Sequence, residues 1–380
     1  DPLEREFGWS RTQVNIALSI GVISSTLSPV VGNLMDRFGA RWTMASSILI
    51  VAIAFMLRSV MTELWHFYIF SAVMFAGVPG ATMMPAGKLV LLWFPNTRGT
   101  MMGIVTSGNN IGSGIAVPVI TVLIGLVGWR WTWALTGFAL VALASLIVLV
   151  IRDRSEHIQK QRNRRWAPSF ASADHATHAA TDLSVSSALQ TSAFWLIATG
   201  ITLQTFLRTG VISQMVPHLE QVGFGRPIAA TMMIVIAIFA TCSKIIFGRL
   251  SESITARIAF ILVMILQTIG LAILLFSGDS SVTWLAIGII GLGMGGTGAL
   301  TPLLIFDMFG GRKFGSIMGL SNIGIALPTV LGPFMAGLIY DTNGNYQLMF
   351  IITALFLFIS IACVAFAKVP TKHIKMLPID

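Results

Sequence analysis

The sequence predicts an all-α membrane protein built as two six-helix halves, with the first helix missing and eleven helices present. Three observations carry that prediction: eleven apolar runs long enough to cross a bilayer, a lopsided distribution of lysine and arginine among the connecting loops, and an internal repeat at a fixed offset of 216 residues. Hydrophobic residues make up 55% of the chain and charged residues only 10%, with a mean hydropathy of +0.83. A soluble domain carries about a quarter charged residues. The net charge of +9 does not point to nucleic acid, because the basic residues sit in short loops between apolar segments, as topology signals do. Cys242 and Cys363 lie inside apolar runs without ligand or pairing spacing, so neither a disulfide nor a metal site is expected.

The runs fall near 13–35, 42–60, 66–93, 100–127, 131–151, 193–217, 228–248, 258–276, 282–306, 315–339 and 346–367. The first leads into "GNLMDRFGAR" (32–41), a charged, glycine-flanked stretch read as a tight turn before the second run. Within the third run, Lys88 lies close to the end at Phe94, where its stem can snorkel to the surface. "WFPNTRG" (93–99) opens the fourth run, whose "TSGNNIGSG" puts Asn109 and Asn110 near the midplane. "GWRWTW" (128–133) opens the fifth. A polar stretch, 152–190, follows; it begins "RDRSEHIQKQRNRR" and reads as a basic cytoplasmic linker between an amino-terminal half, 1–151, and a carboxy-terminal half, 191–380. Its "DHATH" has two imidazoles but no third ligand nearby, so no metal is expected there. The sixth run holds Gln204 and Arg208 one turn apart, and the seventh holds Lys244 four residues before Gly248. Glycine-rich pieces such as "GLGMGGTGALTP" (291–302) lie inside spans and read as close helix packing rather than nucleotide loops.

Orientation follows from the loops. One alternating set contains Arg37, Arg41, Arg98, six cations between 152 and 165, Arg249, Arg257, Arg312, Lys313 and three in the tail, sixteen in all; the other contains Arg5, Arg11, Arg58, Arg130 and Arg226, five in all. The rich set is expected to be cytoplasmic. The repeat maps Gly32 onto Gly248, Asp36 onto Glu252, Arg41 onto Arg257, Gly103 onto Gly319 and Gly128 onto Gly344. By that offset the second half has one helix whose counterpart would precede residue 1, hence the expectation of a first helix missing from a twelve-helix protein.

"GNLMDRFGAR" resembles the loop motif between the second and third helices of the major facilitator superfamily. "GWSRTQV" (8–14), "WFPNTRGTMMGI" (93–104), "GWRWTW" and "FGGRKFGSIMGL" (309–320) resemble the branch that includes the oxalate/formate antiporters and the monocarboxylate transporters. The resemblance implies the major facilitator fold, alternating access between the halves, and a multi-pass location in a bacterial plasma membrane. It implies a cytoplasmic gate drawn from Gly32, Asp36, Arg37, Gly39, Arg41 and Arg98, with Gly248 and Glu252 as a second, weaker copy because Ser253 stands where an arginine is expected. Physical chemistry supports the same residues: glycines permit close approach and sharp turns, and an acid at a membrane edge can face a helix amino terminus from the other half. The alternative is a topological anchor without a conformational role.

Charges inside the membrane are functional candidates by default. All fifteen acids lie in loops or at helix ends, Asp307 being nearest to membrane depth, whereas Lys88, Arg208 and Lys244 lie within apolar runs. Buried cations without buried acids call for an anionic partner. Arg208 and Lys244 are therefore the expected ligands of a small organic anion, with Asn109, Asn110 and Gln204 lining the site. By resemblance, a cation four positions before the terminal glycine binds the substrate carboxylate in the monocarboxylate branch, usually with an acid four residues earlier. Here that earlier position is Ala240. The expected function is secondary transport of a mono- or dicarboxylate, as antiport or proton-linked symport, with protons or a counter-anion as the coupled species and no cofactor. An exporter of hydrophobic compounds would show buried acids instead. An enzyme would show a nucleophile with its base, or clustered His and acids; a sensor would carry an output domain.

Overall fold

The computed structural model describes residues 2–151, 183–276 and 280–370. The basic stretch and "DHATH" motif within 152–182 lie outside the described residues. All eleven apolar runs are helical: α1 Val22–Phe38, α2 Ala40–Ser59, α3 Leu64–Trp93, α4 98–127, α5 129–150, α6 192–221, α7 Arg226–Ile254, α8 Ala256–Phe276, α9 Ser280–Phe309, α10 Phe314–Asn343 and α11 Gln347–Phe366. Eight helical spans are long and apolar enough to cross a membrane among the described residues, with α3 breaking at Thr82 and α10 at Gly324–Ile325. One of these is a 53-residue helix that contains both α4 and α5, broken at Gly128 by a φ of 76°. The remaining two spans, α1 and α6, are split differently. The run leading into α1 is split into Arg11–Ser19 and Val22–Phe38, and α6 passes through a π-helical turn at Leu207–Val211 and a 3₁₀ turn at Ile212–Gln214.

The charged motif read as a turn is mostly helix. α1 continues through Asp36 and Arg37 to Phe38, and Gly39, with φ 89°, is the single residue separating it from α2. Its repeat behaves alike: α7 continues through Glu252 to Ile254, and Thr255 alone separates it from α8. An acid and an arginine are compatible with a helix emerging into water, so the helix continues until a positive-φ residue stops it. Thr255 adopts φ 82°, the only positive φ among the described non-glycine residues. A β-branched residue there is strained by about 1–2 kcal/mol. Thr255→Gly is expected to raise the melting temperature in detergent, because relief of that strain exceeds the weak 3.5 Å contact of the Ile258 N–H with the Thr255 hydroxyl. An unchanged or lower melting temperature would show that the hydroxyl matters more than the backbone.

An arginine contact and a glycine turn recur in both halves. Arg41 donates to the Val148 carbonyl at the carboxyl end of α5, and Arg257 donates to the Val364 carbonyl at the carboxyl end of α11 at 3.0 Å. Gly128 and Gly344 both turn the chain with φ near 70° (76° and 69°). Between halves, α1 packs on α10 and α4 on α7, and both crossings lie at the end that carries the basic loops. Farther along α4, Gly108, Gly112 and Gly114 have no heavy atom within 4 Å of where a Cβ would sit. Ile111, Ile115 and Val119 there are exposed, as are Leu327, Val330 and Phe334 on α10. The halves thus meet at one end and diverge toward the other.

At the diverging end Glu6 ties the amino-terminal segment to α5. It accepts from Arg130 at 2.8 Å and from the Trp129 indole at 2.6 Å, which holds its carboxyl below the usual carboxylate range. Of the predicted linker, residues 183–190 are described: Val185–Leu189 form a short helix, and the Leu183 N–H donates to the Phe309 carbonyl at the end of α9.

Candidate functional site

The site is built where α7 crosses α4. Gly103 permits the crossing: a Cβ there would lie 2.4 Å from the Lys244 carbonyl oxygen. With the backbones this close, the Lys244 side chain reaches across to the other half. Its Nζ donates to the Thr106 carbonyl at 2.9 Å and to Asn110 Oδ1 at 2.8 Å. Lys244 is only 7% exposed, so it does not snorkel to the surface. Asn110 in turn donates from Nδ2 to Thr241 Oγ1 at 3.0 Å, and Thr241 gives its own proton to the Ala237 carbonyl at 2.7 Å. Ser107 adds a hydrogen bond to the Thr241 carbonyl at 3.2 Å.

Arg208 lies within electrostatic range of Lys244. It sits in the π-helical turn of α6 and is exposed. Such turns are frequent at functional sites because the extra residue re-aims side chains. Among the described residues no acid forms an ion pair with either cation; the ion pairs present are Lys88–Asp36, Arg130–Glu6 and Arg226–Glu220. The two remaining polar candidates are less engaged. Asn109 is exposed and has no hydrogen bond to α7 among the described residues, while Gln204 donates to Thr205 Oγ1 at 3.4 Å rather than toward Arg208. Neighbouring residues on a helix point about 100° apart, so only one of two adjacent asparagines can face α7.

At the basic-loop end the Asp36 side chain is fully buried and takes four donors: Lys88 Nζ at 2.9 Å, the Gly315 N–H at 3.1 Å, and the Ser316 N–H and hydroxyl, each at 2.8 Å. The Gly315 and Ser316 amides are unsatisfied groups of the first turn of α10, where a carboxylate is favoured. Lys88 corrects the sequence reading: it pairs with Asp36 and the Met35 carbonyl, and its side chain is 14% exposed, so it does not snorkel. A buried carboxylate in reach outweighs the gain of lifting the ammonium into water. Arg98, expected to work with Asp36, instead lies 4.5 Å over the Phe306 ring and near Asp307. Arg37 is exposed, and Arg41 holds α5 and stacks on Trp42.

The repeat carries a reciprocal contact. Glu252 of the second half accepts from the Thr100 N–H at 2.7 Å, in the first turn of α4. Glu252 is exposed and has this one donor, against four for buried Asp36. The crossings match too: a Cβ on Gly32 would lie 2.0 Å from the Gly315 carbonyl oxygen, and one on Gly99 would lie 1.9 Å from that of Gly248. Thr100, Ser316, Thr106, Thr241 and Lys88 were not singled out as partners from the sequence. The 216-residue offset, which pairs Thr100 with Ser316, is a signal that points to two of them.

A family description, Major Facilitator Superfamily, matches residues 2–327 and 205–377, and the chain belongs to that superfamily. It is a multi-pass secondary transporter that moves a small solute across a membrane. Among its relatives are the uncharacterized MFS-type transporter YhjX of Escherichia coli, 26% identical over 83% of this chain and 76% of YhjX, and the sialic acid transporter NanX of the same organism, 24% identical over 95% and 86%. Rat monocarboxylate transporter 13 is 23% identical over 91% of this chain and 77% of its own length. Of solved structures, the E. coli fucose:proton symporter FucP superposes with a TM-score of 0.73 at 15% identity, covering 97% of this chain and 94% of FucP. The human organic anion transporter MFSD10 gives 0.73 at 15% identity, covering 95% and 87%.

Proposed function

We propose that this protein carries a small organic anion, a mono- or dicarboxylate, with Arg208 and Lys244 holding the negative charge. The observation that carries this reading is two cations in electrostatic range of each other, with no acid paired to either among the described residues. Lys244 is buried within range of a second positive charge, which is costly unless an anion joins them. An arginine can grip a carboxylate through two parallel hydrogen bonds, and Lys244 keeps a third proton beyond the two it gives to Thr106 and Asn110. The names of monocarboxylate transporter 13, the sialic acid transporter and the organic anion transporter agree with this class. The resemblance to the oxalate/formate and monocarboxylate branch narrows it.

Ala240 favours exchange over proton coupling. It stands where that branch places an acid, is 2% exposed, and packs so closely on α9 that a Cβ on Gly295 would lie 1.9 Å from its carbonyl oxygen. Asp36 and Glu252, each on a helix amino terminus of the opposite half, act with Gly32, Gly39, Gly248, Arg37, Arg41 and Arg98 as the gate at the basic-loop end. The alternating-access cycle opens that end by separating α1 from α10 and α4 from α7.

The test is counterflow in proteoliposomes loaded with unlabelled lactate, pyruvate, formate, oxalate or a neutral sugar, each challenged with its labelled form. Exchange restricted to carboxylates is expected, with Arg208→Gln and Lys244→Gln each lowering its efficiency by at least about tenfold, the scale of one hydrogen bond to a charged group. Robust sugar flux, or carboxylate flux indifferent to both substitutions, would overturn the reading.

A further inference from the structure

An asparagine can present either its oxygen or its NH2 to a neighbour. At Asn110 two neighbours on α7 make the same choice. Lys244 has only protons to offer, so it requires the amide oxygen. Thr241, three residues earlier, has committed its single proton to the Ala237 carbonyl at 2.7 Å, so its oxygen can only accept and requires the amide NH2 at 3.0 Å. With that orientation fixed, the Lys244 ammonium rests on two neutral acceptors, Asn110 Oδ1 and the Thr106 carbonyl. These hold its position without cancelling its charge. A carboxylate at position 110 would hold the ammonium as well but would consume the charge on which an anion depends.

We propose that Thr241 is a positioning residue of the transport site: it sets the Asn110 amide so that Lys244 is anchored by neutral oxygens and remains fully cationic toward the substrate. Thr241 touches no substrate. Its effect passes through Asn110 to the ammonium, and helix α7 thereby supplies both the cation and the group that orients its holder. Without the Thr241 oxygen, the Asn110 NH2 loses its acceptor on α7 and the amide is oriented by Lys244 alone, so it holds the ammonium less firmly. The ammonium would then rest firmly on the Thr106 carbonyl alone and sample positions away from the one that two acceptors define.

This inference rests on the anion-site reading, and the experiment separates the two. Exchange kinetics are measured in proteoliposomes for the parent, Thr241→Val, Thr241→Ser and Asn110→Asp, with each carboxylate of the panel that the parent exchanges. Thr241→Val, nearly equal in volume to the parent, is expected to raise KM about tenfold, with a maximal rate within about twofold of the parent because the hydroxyl makes no contact with the moving interface except through Asn110. Thr241→Ser restores the acceptor and is expected to return KM to the parent value. Asn110→Asp is expected to raise KM at least as much as Thr241→Val, although it is isosteric. A purely structural threonine would instead lower the maximal rate or the yield of folded protein and leave KM in place. A parent-like KM in Thr241→Val, or a KM that Thr241→Ser fails to restore, overturns this inference and leaves the anion site standing. A parent that exchanges no carboxylate overturns both.

Discussion

Replacing Gly32 with valine is expected to abolish exchange while leaving the protein inserted and folded. A Cβ at this position would sit 2.0 Å from the Gly315 carbonyl oxygen and 2.5 Å from its carbon. Both obstacles are backbone, so no side chain can rotate aside, and α1 and α10 must move apart by more than 1 Å, roughly, to reach ordinary contact. That displacement also pulls Asp36 off the Gly315 and Ser316 amides, so two stabilising features of the closed end fail together. Overpacking of this kind costs about 3 kcal/mol, which lowers the population of the closed arrangement by about a hundredfold. Gly337, which lies in α10 with nothing within 4 Å, is the control: Gly337→Val should exchange normally. The conformational consequence is read with Met35→Cys in a background lacking Cys242 and Cys363. Met35 is fully buried at this crossing, so a membrane-impermeant maleimide should label it much faster in Gly32→Val than in the parent, which exposes it only while this end is open. Parent-like flux in Gly32→Val would mean that the crossing has no part in the transport cycle.

The second large effect belongs to the Asp36–Lys88 pair. Removing one partner of a buried ion pair costs on the order of 3–5 kcal/mol, because the other charge is left behind, whereas removing both can be nearly neutral. Asp36→Asn and Lys88→Met should therefore each lower the melting temperature in detergent by several degrees. The double variant should fall short of the summed losses by at least about 1 kcal/mol, the signature of direct coupling. Transport should separate the two partners. Asp36→Asn removes the charge that faces the first turn of α10 and is expected to lose most exchange. Lys88→Met leaves Asp36 with its Gly315 and Ser316 donors and is expected to retain more. Strict additivity of the two single variants would show that the pair is an incidental contact.

What the sequence disclosed and what it withheld divide along physical lines. Membrane character, the eleven helices and the 216-residue offset were legible because apolar run length and loop charge are local properties that a bilayer enforces. The partner of Asp36 was not legible. Lys88 lies 52 residues away on another helix, and run length alone makes a lysine near a helix end look free to snorkel. The anchor of Lys244 was hidden for a different reason: the Thr106 carbonyl is a main-chain group that every residue type supplies. Asn109 and Asn110 were indistinguishable in sequence, since the helical phase that separates them acquires meaning only once Gly103 has fixed how α4 meets α7. The boundary of "GNLMDRFGAR" was misjudged because charge was read as a loop signal, although the helix there simply extends beyond its apolar part.

The reciprocity of the two crossings has a consequence for assembly. Each half presents one acid, on α1 or α7, and one receiving helix amino terminus, on α4 or α10. Each half therefore bears a surface complementary to its own copy, as the protomers of an isologous dimer do. A chain severed between the halves would face two modes of reassociation, with its true complement or with itself. The offset that carries Lys244 onto Ser28 is where this self-complementarity ends. A pair of second halves would place two copies of Lys244 and no Asn110 at its crossings, and a pair of first halves two copies of Ser28 where Lys244 would stand. Only the heterologous pairing brings one ammonium to one asparagine, so the asymmetry that creates the binding charge also distinguishes the correct partner from the identical one.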